Sequence, residues 1–260
     1  MSTTQTTVKS SVGSGAEPNK NSKQKTSKKE AEVKVKVPTI EEMLKAGMHF
    51  GHSVSRWHPK MEPYIFTARN GIYIIDLIKS QKLLEKALRF IAQLAQENKT
   101  ILWVGTKNQV KQPLAELAQE FSYPYVVERW LGGCLTNFTV IKRSIKKYKN
   151  LVEQQKAGKL DKYTKKERLG FEREIERLRK KVGGLVTMNS LPDAIFIWDV
   201  KNEKAAVEEA RMKKIPIIGV CDTNSNPEGI DYLIPANDDA TKTIKLILGV
   251  IREVIKGVKG

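Results

Sequence analysis

Three histidines stand within ten residues: His49, His52 and His58, the whole complement of the chain. A neutral imidazole is a common ligand for zinc and similar ions, so this His-x2-His-x5-His spacing could supply a metal centre. The surroundings give it little help. No cysteine lies nearby, and Glu62 is the only close acid. The alternative is that His49 packs in a helix turn while His52 and His58 meet backbone or phosphate, and no metal is expected. Arg56, Trp57 and Lys60 share the same loop, and a tryptophan beside cations suits base or sugar stacking as well as core packing.

Other residues invite different chemistry. Val104-Gly105-Thr106-Lys107 follows an apolar run at the place where open α/β sheets bind phosphates. Neither a G-x-G-x-x-G nor a G-x4-G-K-[ST] pattern occurs in the chain, so a tight strand-to-helix turn is the expected role. Asp199, Asp222 and Asn224 fall near strand ends, where an α/β enzyme places catalytic groups. A sugar- or nucleotide-phosphate enzyme is therefore the alternative function. No activated nucleophile, acid–base pair or cofactor fingerprint accompanies them. The reading is of a non-enzyme with no cofactor and no small-molecule substrate. Arg129 and Trp130 precede a Gly132-Gly133 turn and fit either RNA contact or a domain interface. Cys134 and Cys221 are far apart and outside any CxxC spacing, which suggests a reducing compartment and two buried, inert thiols.

Charge gives a stronger signal than any motif. The chain of 260 residues carries a net +17. Residues 1–37 hold +5 and residues 142–182 hold +10, which leaves +2 for everything else. Basicity confined to two segments points to a polyanionic partner, because neutralising phosphates releases their counterions. No apolar run is long enough to span a bilayer, so no membrane is expected. The N-terminus lacks the apolar stretch of a secretory signal. A cytoplasmic location is expected.

The elements that must position these residues follow from periodicity. Residues 1–37 are rich in Ser, Thr, Lys and Gly and bury too little to order themselves, so a disordered basic tail is expected. Thr39 and Glu42 form a capping box for a short helix. Residues 64–77 suggest two strands about an Asn70-Gly71 turn. Helix-spaced leucines follow over 78–97, and Ile101–Val104 reads as a buried parallel strand. A helix over 108–121 and a strand at 124–127 come next. After the basic insert, strands at 194–198, 216–220 and 231–234 enclose a helix at 202–213. Asp238 or Asp239 would cap a last helix over 240–256. Such alternation predicts a doubly wound, flavodoxin- or Rossmann-like parallel sheet, with a body of residues 38–141 and 183–260.

The insert at 142–182 has its own period. Phe138, Ile141, Ile145, Tyr148 and Val152 fall at spacings of three and four, as do Phe171, Ile175, Leu178 and Val182. Gly158 sits where a helix-ending glycine would, and Thr164 with Glu167 makes a second capping box. An antiparallel coiled-coil hairpin that projects from the body is predicted. Its cations Lys142, Arg143, Lys146, Lys147 and Lys149, with Lys165, Lys166 and Arg168 near the tip, are the candidate nucleic-acid contacts.

Several ordered stretches resemble one family. They are Leu44-Lys-Ala-Gly-Met-His-Phe-Gly-His52, Trp57-His-Pro-Lys-Met61, Arg129-Trp-Leu-Gly-Gly-Cys-Leu-Thr-Asn-Phe138, Leu160-Asp-Lys-Tyr-Thr-Lys-Lys-Glu167, Asp222-Thr-Asn-Ser-Asn226 and Ile234-Pro-Ala-Asn-Asp-Asp239. In this order, over residues 38–256, they resemble the second protein of the small ribosomal subunit, in a form that looks bacterial. The resemblance implies a structural ribosomal protein with a flavodoxin-like sheet and a protruding hairpin. It also implies small-subunit rRNA and neighbouring small-subunit proteins as partners, the large protein one among them. The tail at 1–37 is a departure from the family pattern.

Overall fold

The computed structural model describes residues 35–259. The tail expected at 1–37 therefore lies outside the described residues, its last three positions excepted. Strands β4 (Ile101–Val104), β5 (Tyr125–Val126), β6 (Ala194–Trp198), β7 (Ile217–Cys221) and β8 (Tyr232–Pro235) form a five-stranded sheet in the order β5-β4-β6-β7-β8. Every pairing is parallel. Renumbered within the sheet this is the order 2-1-3-4-5, the flavodoxin-like doubly wound layout, with its switch point between β4 and β6.

Buried side chains on both faces explain why these strands read as unbroken apolar runs. Ile101, Trp103, Phe196, Trp198, Ile218 and Val220 face one core, shared with residues of α2 (Leu77–Gln96), α3 (Asn108–Glu120) and α7 (Thr241–Lys259). Leu102, Val104, Ile195, Ile197, Ile217 and Cys221 face the other. That second core is closed by α6 (Lys204–Met212) and by the roots of α4 (Phe138–Lys156) and α5 (Lys165–Val182). Both cysteines are buried, and burial pushes both thiols up, that of Cys134 to about 12.

The chain enters through α1 (Ile40–Lys45), whose Thr39–Glu42 capping box is formed. A second, antiparallel sheet follows, in the order β1-β3-β2, from β1 (Phe50–Ser53), β2 (Ile65–Arg69) and β3 (Ile72–Ile75). The hairpin of β2 and β3 about Asn70-Gly71 agrees with the sequence. β1 was not expected: it is four residues long and its register with β3 is irregular, so no alternation announces it. Ahead of the last helix, which starts at Thr241, the side chain of Asn237 accepts the N–H groups of Asp239 and Ala240, at 2.9 and 3.1 Å, while the carboxylates of Asp238 and Asp239 lie against Lys107. No described helix is long and apolar enough to cross a membrane.

Candidate nucleic-acid interface

The basic segment occupies the crossover from β5 to β6, where a doubly wound fold places its connecting helix. Two long helices stand there instead. At 1.5 Å per residue, α4 and α5, of 19 and 18 residues, are each about 28 Å long. Ile141 and Ile145 near the start of α4 share a core with Val182 at the end of α5, so the helices run antiparallel and both root beneath the sheet. Farther out, Tyr148, Leu151, Val152, Phe171 and Ile175 are half-buried along the facing seam, and every residue from 161 to 170 is exposed. The bend is built from local rules. Gly158 has φ +65°, Gly158 N–H donates to Gln155 O, and Lys159 N–H donates to Gln154 O, which is a Schellman ending. The Thr164–Glu167 capping box then starts α5.

Cations cover the outer faces of this pair. Lys142, Arg143, Lys146, Lys147, Lys165, Lys166 and Arg168 are exposed and Lys149 is half-buried. Some are already engaged. Lys147 lies 2.8 Å from Glu174, which also holds Arg177, and the two cations bring that carboxyl down to about 2. Arg168 lies 3.6 Å from Asp161, and Lys142 donates to Asn189 O. Among the described residues, Arg143, Lys146, Lys149, Lys165 and Lys166 have no acidic partner within 4 Å. Surface ion pairs are weak and easily exchanged, so the paired cations also remain available to phosphate.

The segment that launches α4 is held by one carboxylate that the sequence did not announce. Glu209 on α6 is buried and accepts five hydrogen bonds. The donors are the Trp130 indole at 3.0 Å, Gly133 N–H at 2.8 Å, Leu135 N–H at 2.9 Å, and Thr136 N–H and hydroxyl, both at 3.0 Å. Burial works to raise the Glu209 carboxyl, but these donors outweigh it and hold the group below its usual value. Trp130 is thus internal, 8% exposed with its N–H satisfied, and is not a stacking surface. Arg129 beside it is exposed. In sequence, Glu209 looks like any solvent-facing glutamate of an amphipathic helix.

The three histidines do not converge. His49 lies against the Phe50 ring, at 3.9 Å between centroids. His58 Nδ1 accepts the Lys60 N–H and caps a short 3-10 turn. Only His52 points to the carboxyl ends of the parallel strands, where Nδ1 lies 3.1 Å from Asp222 and Nε2 lies 3.5 Å from Asp239. The topology gathers a different set there. His52, Asp222 and Asp238 offer ligand atoms within 4.8 Å of one another, a set suited to a divalent cation. Lys107, at the start of α3, lies 3.3, 2.8 and 2.7 Å from Asp199, Asp238 and Asp239. The turn at Gly105-Thr106-Lys107 thus presents its lysine to carboxylates of the same fold, not outward to a phosphate. Burial and the neighbouring Asp222 and Asp199 push the Asp238 carboxyl up to about 7.

Of the remaining candidates, Arg56 is exposed, Trp57 is half-buried against Tyr73 at 5.1 Å, and Lys60 pairs with Glu228.

Known proteins place this arrangement. A family model described as ribosomal protein S2 matches residues 43–257. The small ribosomal subunit protein uS2 of Geotalea uraniireducens (strain Rf4) is 47% identical over 217 residues, 84% of this chain and 85% of that protein. With the flavodoxin-like sheet, these matches define the class: a structural, non-enzymatic protein of the small ribosomal subunit. The chain belongs to the ribosomal protein S2 family, and it acts in the bacterial, cytoplasmic ribosome. The phosphate-enzyme alternative has no support from either match.

Proposed function

We propose that the chain holds small-subunit rRNA with the cations of α4 and α5, and that its body docks on neighbouring small-subunit proteins. The observation that carries this is the crossover itself. It is rooted in the core at one end, exposed over its tip, and carries cations without acidic partners along its length. A rooted helix pair presents charges in fixed positions, so less ordering entropy is lost on binding than a loose tail would lose. Arg129 and Arg56 are exposed and extend the same chemistry to the body. The antiparallel sheet offers apolar ground for such protein contacts, since Phe66 is 74% and Phe50 48% exposed there.

The test replaces Arg143, Lys146 and Lys149 with Gln and measures binding to small-subunit rRNA across a salt series. Each lost phosphate contact should lower the slope of log K against log salt by about 0.7–0.9. A slope and affinity equal to the parent's would overturn the assignment.

A further inference from the structure

A groove of about 390 Å³ lies where the hairpin leaves the sheet. That volume falls within the range of about 300–1,000 Å³ that holds small organic groups. Its walls combine two kinds of side chain. Tyr125 on the edge strand β5 and Tyr148 on α4 supply half-buried rings. Arg179, Lys180 and Lys181 in the last turn of α5 supply exposed cations. The lone acid of the lining, Glu128, is drawn off by Lys111 at 3.2 Å. Arg179 and Lys180 lie 3.0 and 3.9 Å from Glu176, while Lys181 has no acidic partner among the described residues. The Tyr125 ring is held in place: its hydroxyl accepts the Gln119 amide at 2.6 Å. Gly184 lies against the same residue, where an added Cβ would stand 2.3 Å from Tyr125 O and 2.8–2.9 Å from its ring. The groove thus depends on a glycine at that position.

Aromatic rings beside exposed cations match one chemistry: a base stacked on a ring with its flanking phosphates on the basic side chains. A base inside a duplex is already stacked and cannot enter. We infer that this groove takes an unpaired nucleotide of an RNA strand. The inference rests on the assignment of the hairpin to rRNA, and it names the site that would hold the strand at the hairpin's root.

The full-length protein is titrated with a short fluorescent single-stranded RNA and, separately, with a duplex of the same length, in parallel with small-subunit rRNA. The parent protein should prefer the single strand. Tyr148→Leu should weaken single-strand binding about five- to 150-fold, the worth of one base–aromatic stack, and leave the salt slope unchanged. Tyr148→Trp, which keeps a stacking face and the bulk, should retain binding and so separates loss of stacking from loss of fold. Replacing Lys180 and Lys181 with Gln should lower the slope by up to about 1.4. Equal binding of single strand and duplex with a silent Tyr148→Leu, while rRNA is still bound, would overturn the groove and spare the hairpin. No binding of any RNA would overturn both.

Discussion

Asp238 is the residue with the least ordinary situation. It is 1% exposed, between Lys107, Asp222 and Asp199, and its carboxyl is pushed up to about 7 by burial and by those acids. His52 is raised as well, chiefly by its hydrogen bond to Asp222. Both groups bind protons more tightly folded than unfolded. These two groups therefore hold extra protons from about pH 4 upward through neutrality, and the stability they contribute falls as pH rises across that window. The His52 contribution is present below its ordinary value and is lost as pH passes its higher folded one. In EDTA, the melting temperature of the isolated protein should decline from pH 5 to pH 8, and Asp238→Asn should flatten that decline. An Asn variant with the parent's slope would contradict the account. Little of this was legible in sequence. Asp222 read as a strand-end residue and Asp238 as a cap because what distinguishes them is a meeting with His52 and Lys107, and that meeting is made by the strand order. The histidine spacing drew notice, yet nearness in sequence did not become nearness of side chains: His49 and His58 turn to other partners.

At the scale of elements, the helices and parallel strands were legible because each carries its own period or an unbroken apolar run. So was the bend between α4 and α5, since Gly158, Thr164 and Glu167 act locally. β1 was not, because four residues with an irregular register hold no pattern. Nor was the support beneath α4, because Glu209 lies 73 residues from Thr136, the end of the loop it holds. That support predicts a cost. Glu209→Ala would leave the Trp130 indole and the N–H groups of Gly133, Leu135 and Thr136 without their acceptor. Each orphaned donor costs about 1–3 kcal/mol, so the four together should cost at least about 4 kcal/mol in urea unfolding. Hydrogen exchange should rise first across 130–145, where α4 is launched. A loss below 1 kcal/mol would mean that water replaces the carboxylate and that the root is not held as described.

For the whole molecule, the uneven charge acquires a structural meaning. The +10 segment is the crossover of a doubly wound sheet, grown into a helix pair whose root is core and whose outer faces are cationic. Because the crossover begins and ends at sheet strands, its direction is set by the sheet, and the body becomes a mount that aims a basic arm. The carboxylates at the strand ends, where a relative of this fold would do chemistry, are turned inward on Lys107 and His52. The most direct test of the central claim is a high-resolution cryo-EM map of a small subunit that carries this chain. The account predicts α4 and α5 lying along rRNA, with Arg143, Lys146, Lys149, Lys165 and Lys166 within hydrogen-bond reach of phosphate oxygens. A helix pair standing in solvent, with the subunit gripped through the sheet body alone, would contradict it.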